Sequence, residues 1–111
     1  MSLYEDYIKE RDGSDMIQTP AGFIIYSIAG SECFITDMYV KPSERGSSAA
    51  FELGDSVTQV AKEKKCTLLT SNIHINTPFD VASLRVQLRY GFKLLSAHNN
   101  VIVLGKEIDH G

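Results

Sequence analysis

A strand, a helix and a second strand in direct succession constrain this chain more than any other feature. "ECFITDMYV", residues 32–40, has the β-branched and aromatic content of a strand. From Ser47 or Ser48 to Lys65 the apolar spacing becomes helical, with Ala50, Leu53, Val57, Val60 and Ala61 along one stripe. "CTLLTSNIHI" then returns to strand composition and is fairly continuous in apolar content, as an interior strand would be. This crossover sits amid runs that pair as antiparallel strands. The fold class expected is therefore α+β, a mixed α/β sheet with helices against it.

The flanking segments fill in the order. "LYEDYIKERDG" reads as a short amphipathic helix with Leu3, Tyr4, Tyr7 and Ile8 on one face and Gly13 after its end. "MIQT" before Pro20 is a short strand, and "GFIIYSIAG" is another, joined to "ECFITDMYV" by the tight turn "AGSE". A serine is expected to cap the central helix, and "KEKK" suits the negative end of its dipole. "FDVASLRVQLRYGF" predicts a later helix with Asp80 as N-cap, Val81, Leu84 and Leu88 facing in, and Gly91 stopping it. A hairpin from "FKLLSAH" to "VIVLGKEI" turns at Asn99-Asn100, a pair that tolerates positive φ. The tail "DHG" is expected to fray. With no repeat, linker or low-complexity tract, residues 1–111 are expected to form one domain.

Composition narrows the function classes. Apolar residues make up 43% and charged residues 23%, an ordinary globular balance. A net charge of −3 gives broad nucleic-acid binding no electrostatic support. No apolar run approaches the roughly 20 residues that span a bilayer, and the polar, acidic start predicts no signal peptide. Cys33 and Cys66 lack metal-ligand spacing, so reduced thiols in a cytoplasmic protein are expected.

The turn "KPSERGSSAAFEL" is where a ligand is expected. A helix N-terminus offers unpaired N–H groups and partial positive charge, which suit phosphate. Backbone amides can be approached only where side chains are small, and "RGSSAA" supplies one glycine, two serines and two alanines. The serine hydroxyls and the Arg45 guanidinium add donors for phosphate oxygens. The alternative is that small residues merely let the helix pack closely on the sheet.

On these residues the chain resembles the GNAT superfamily, the Gcn5-related N-acetyltransferases. "VKPSERGSSAAFEL" is similar to the family's strand exit, V-x-P followed by R/Q-x-x-G-x-G/A and a helix, with Arg45 at the first position and Ala50 at the last. "DVASLRVQLRYGF" resembles the family's later helix, with Asp80, Ser83, Gly91 and Phe92 in register. The resemblance covers roughly residues 20 to 108. It implies acetyl-CoA or another acyl-CoA as cosubstrate. Its pantetheine would pair with main-chain groups of Met38, Tyr39 and Val40, and its phosphates would rest on Arg45, Gly46, Ser47, Ser48, Ala49 and Ala50. Asp80 and Ser83 would complete the cofactor site. Family members usually carry a longer N-terminal section than the roughly twenty residues before the first clear strand here, and in this the chain resembles small phage-type acetyltransferases.

The resemblance also shows departures. Many relatives place a glutamate where this chain has Thr36 and a tyrosine where it has Gln87, and Ser48 replaces a glycine of the phosphate loop. Asp37 is a substitute candidate for base or amine-binding carboxylate, although strand alternation puts it on the face opposite Thr36. Tyr90, three residues beyond Gln87 on one helical face, is the substitute candidate for proton donor, or else a packing residue. His74, at the carboxyl end of the interior strand, is either near a ligand or a loop residue, and Cys33 and Cys66 are expected as small core residues.

Two functions remain open at this level. One is an N-acyltransferase moving an acetyl group to an amine, such as a protein lysine, by direct attack. The other is a catalytically degenerate binding module of the same fold, with or without CoA. Edge strands leave room for a homodimer.

Overall fold

The structure, a computed structural model, describes residues 2–110, with the Phe79 side chain outside the description. Its elements are α1 (Leu3–Asp12), β1 (Asp15–Thr19), β2 (Gly22–Ala29), β3 (Glu32–Val40), α2 (Ala49–Glu63), β4 (Leu68–His74), α3 (Pro78–Tyr90), β5 (Lys93–His98) and β6 (Val101–Glu107), with a short 3₁₀ turn at Pro42–Glu44. The six strands form one sheet in the order β1-β2-β3-β4-β6-β5. Only β3 and β4 run parallel, joined by α2, and every other neighbouring pair is antiparallel. This is the mixed α/β architecture expected from the strand-helix-strand succession. No described helix is long and apolar enough to cross a membrane.

The core forms between α2 and the sheet. Leu53, Val57 and Ala61 of α2 are fully buried with Ile24, Cys33, Cys66, Leu69 and Leu104. Ala49 and Gly54 also turn inward, widening the stripe beyond the residues that spacing identified. The opposite face of β2 and β3 carries an aromatic ladder. Tyr4 of α1 meets Phe23 edge-on at 6.2 Å, and Phe23 stacks on Tyr39 at 5.7 Å. Because Phe23 alternates with core residue Ile24, α1 covers the face away from α2.

The parallel pair is splayed. Pairing runs from Glu32↔Leu68 to Ile35↔Ser71 and stops there, although β3 continues to Val40 and β4 to His74. A bulge marks the same place. Ile25 opposes Asp37 while Tyr26 opposes Ile35, so Thr36 is the extra residue, and its hydroxyl donates to the Ile25 carbonyl at 3.2 Å. The bulge resets the strand's phase: Cys33 and Ile35 face the core before it, Met38 and Val40 after it. Simple alternation across Thr36 and Asp37 is thereby corrected.

Other expectations are corrected for similar reasons. The N-cap of α3 is Thr77, not Asp80. Pro78 occupies a first-turn position with its φ already helical, so the helix starts earlier and Asp80 becomes the reciprocal partner of a capping box. Val81 and Leu88 are exposed rather than inward, and only Leu84 of the expected trio packs on the core. The rotation of α3 follows from Tyr90, wedged against Gly54 of α2, which turns Ser83 and Gln87 toward an open space. In α1 only Ile8 is buried, because this short helix meets the sheet at an edge strand. Ser48 stands at the N-cap of α2 without a side-chain cap, its hydroxyl donating to Glu52 instead. The tail is docked as far as described: the Ile108 N–H donates to Thr67 O at 2.9 Å, and His110 Nε2 lies 2.6 Å from Cys66 O. Of the expected "DHG" tail, Gly111 lies outside the described residues.

Candidate active site

The splay opens two adjoining spaces between β3, β4, α2 and α3. The outer one is a groove of about 500 Å³ beside the β3–α2 turn, lined by Met38, Val40, Glu44, Arg45, Gly46, Ser47, Ser48, Ala50, Phe51, Ala82, Ser83, Val86 and Arg89. The inner one is a cavity of about 280 Å³ reaching Thr36, Asp37, Ser71, Asn72, His74, Asp80, Gln87 and Tyr90. Met38, Ala50, Phe51, Ser83 and Val86 wall both.

The turn is built to leave backbone exposed. Gly46 has φ 83°, the left-handed region, and a Cβ there would meet nothing within 4 Å. The Ser47 hydroxyl donates to Glu44 O and accepts the Ala49 N–H, locking the turn. Among the described residues no acceptor takes the N–H of Gly46, Ser48, Ala50 or Phe51. Ser48 has φ −79° and ψ 0°, which any residue adopts, so serine in place of glycine strains nothing here. Arg45 and Arg89 bring two cations to the groove walls. These amides and cations fit a diphosphate.

The end of β3 carries contacts that sequence did not foretell. The Met38 N–H donates to Asp37 Oδ1 at 2.8 Å, and Arg45 Nε donates to the Val40 carbonyl at 2.9 Å. The Arg45 guanidinium also lies 5.7 Å over the Tyr39 ring. Two of the main-chain groups expected to pair with a ligand are thus held by the chain's own side chains. Tyr39 turns its ring to the far face, and Ala49 is buried, so neither side chain lines the groove.

Within the inner cavity the titratable groups have distinct surroundings. The Tyr90 hydroxyl donates to Asp55 Oδ1 at 2.6 Å, with Thr58 Oγ1 at 3.4 Å. Burial, and then the Asp55 carboxylate, push the phenol up to about 12. Its ring packs edge-on against Phe51 at 5.2 Å. Asp80 Oδ2 accepts from the Asn76 and Thr77 N–H groups and from the Thr77 hydroxyl, and the Asn76 amide leads in lowering its pKa. The amide oxygen of Gln87 is buried and has no partner among the described residues.

Most of the residues singled out from sequence converge here. Phe51, Ala82, Val86 and Arg89 were missed. Val86 and Arg89 lie three and six residues beyond Ser83, and Ala82 lies four before Val86, so helical spacing run on from Ser83 reaches the first two directly and Ala82 through Val86.

The Acetyltransferase (GNAT) family pattern matches residues 4–92, beginning earlier than residue 20 and ending before the closing hairpin. No curated protein is significantly similar in sequence. Nourseothricin acetyltransferase superposes with a TM-score of 0.68 at 20% identity over 80% of this chain, which spans 58% of its length. A GNAT-family chain from Desulfovibrio desulfuricans gives 0.81 at 15% identity, covering 96% of this chain and 77% of its own. The PaiA N-acetyltransferase of Thermoplasma acidophilum, in complex with coenzyme A, gives 0.76 at 15% identity, with 95% and 69% covered. With the family pattern across most of its length and the same fold in these neighbours, the chain belongs to the Acetyltransferase (GNAT) family.

Proposed function

We propose that the protein is an acetyl-CoA-dependent N-acetyltransferase whose acceptor is an alkyl amine such as a protein lysine. GNAT acetyltransferases use acetyl-CoA. The observation that carries the proposal is the row of unspent amides on the β3–α2 turn, opening onto a groove that shares its wall with an inner cavity. Acetyl-CoA, when bound, supplies a thioester whose acetyl carbon a neutral amine nitrogen takes, the C–S bond breaking and the amine's proton ending on the departing thiol.

The chain's own residues divide the work. Arg45, Gly46, Ser47, Ser48, Ala49 and Ala50, with Arg89, hold the diphosphate end, and Ser83 lies on the shared wall. Main-chain groups of Met38, Tyr39 and Val40 orient the pantetheine. For these to be used, Asp37 must release the Met38 amide and Arg45 must release the Val40 carbonyl. A lysine-type amine is protonated at pH 7 by a margin of about 4.6 kcal/mol. Asp37, once released, draws the cationic amine into the cavity and receives its proton. Tyr90, already bonded to Asp55, is a weak acid and supports the cavity chiefly through its ring. Asp80 serves through the capping box that fixes the start of α3. Catalysis rests mainly on positioning, with β3 amides polarising the carbonyl.

Acetyl-CoA at one hundred times its dissociation constant is expected to stabilise the protein by about 2.7 kcal/mol. Arg45→Glu, which repels the diphosphate, abolishes the rise in Tm. A flat melting curve at millimolar CoA removes the cofactor claim. Transfer of labelled acetyl to lysine peptides tests the activity.

The two self-held groups at the end of β3 favour a second role, a non-catalytic member of the fold that binds a partner. Stabilisation by CoA without transfer of label would support it. The exposed edge strand β5, with Leu94 and Leu95 more than half exposed, favours a homodimer, read by sedimentation. Two buried, unpaired thiols suit a cytoplasmic site of action.

A further inference from the structure

We infer that Gln87 is the residue that positions the acceptor amine, accepting one N–H of a primary alkylammonium through its side-chain oxygen. This rests on the proposed acetyltransferase activity but concerns a different part of the site. Gln87 lines the inner cavity and not the groove beside the phosphate turn. Its Oε1 is buried and has no hydrogen-bond partner among the described residues. A buried acceptor left unpaired is costly, so Oε1 gives up no bond in turning to meet an N–H donor in the cavity. The acidic groups lining the same cavity are Asp37 and Asp80, His74 lies beside them, and among the described residues no lysine or arginine lines it. Such a wall selects a cation. At about 280 Å³ the cavity takes the amino end of an alkyl chain rather than a bulky amine.

The chemistry of the amide explains its use. An alkylammonium carries three N–H donors and a glutamine oxygen accepts one without adding charge. A carboxylate at the same point would hold the ammonium proton and oppose formation of the nucleophile. The neutral amide orients the nitrogen and leaves Asp37, the lining carboxylate outside the α3 capping box, to take the charge of the ammonium.

Three proteins test this: the wild type, Gln87→Leu and Gln87→Glu. Gln87→Leu is expected to raise the KM for a lysine peptide about tenfold, leave the KM for acetyl-CoA unchanged, and keep or raise the Tm of the ligand-free protein. Gln87→Glu is expected to lower both KM for the amine and kcat. Without acetyl-CoA, n-butylammonium chloride, compared with equal sodium chloride, is expected to raise the Tm of the wild type but not of Gln87→Leu. If wild type and Gln87→Leu share one amine KM, or show equal butylammonium shifts, the inference is overturned even though acetyl transfer stands. If no acceptor is acetylated but the shift still depends on Gln87, the amine site stands and the acetyltransferase proposal falls.

Discussion

At the residue scale, the departures from the family pattern carry different weights. Thr36 is the bulge residue of β3, with its hydroxyl spent on the Ile25 carbonyl, so it shapes the splay rather than handling protons. Ser48 sits in ordinary backbone geometry. Gln87 lines the inner cavity, and its buried Oε1 has no hydrogen-bond partner among the described residues. Thr70 offers a useful contrast: its hydroxyl is equally unpartnered, yet it lies within β4 and lines neither space of the site. Thr70→Val removes a buried, unsatisfied hydroxyl at nearly constant shape. It is expected to stabilise the protein by about 1 kcal/mol in urea unfolding, without altering acetyl-CoA binding.

At the element scale, one contact sets how α3 stands over the site. Gly54 of α2 lets the Tyr90 ring approach so closely that an added Cβ would lie 2.8 Å from its Cζ. The phenol is then fixed by Asp55 and Thr58, both on α2. Gly54→Ala must push the ring, and α3 with it, away from α2. A loss of about 1–3 kcal/mol is expected, read by urea unfolding, and acetyl-CoA affinity should fall too because Ser83 and Val86 on α3 wall the groove. Wild-type stability in this variant would refute the wedge. The bulge at Thr36 and the early end of β3–β4 pairing are likewise element-scale features, and together they make the opening.

At the scale of the whole molecule, burial keeps protons in place. Cys33 and Cys66 are fully buried, and burial raises both thiols, Cys33 from 9.0 to about 12. Tyr90 is raised from 10.0 to about 12, and burial raises Tyr26 as well. Between the unfolded and folded values, the unfolded chain gives up protons that the folded chain keeps. Stability is therefore undiminished by these groups below about pH 9 and falls as pH climbs toward 12. Thermal melts from pH 8 upward should show this decline. A thiol reagent at pH 8 should label neither cysteine until denaturant is added. Rapid labelling of the native protein would contradict the burial of both.

The sequence by itself determined the element order, the crossover, the hairpin at Asn99-Asn100 and the small-residue turn, since each follows from local composition and periodicity. Both asparagines do adopt positive φ, at 50° and 64°. Tertiary structure decided which faces those elements present. The bulge that rephases β3 arises from pairing with β2, and the rotation of α3 from the fit of Tyr90 against Gly54. Arg89 joins the site, and Val81 and Leu88 leave the interior, only because α3 leans over an opening rather than onto packed side chains. Local pattern records what a segment can bury; the partner across the gap fixes what it does bury.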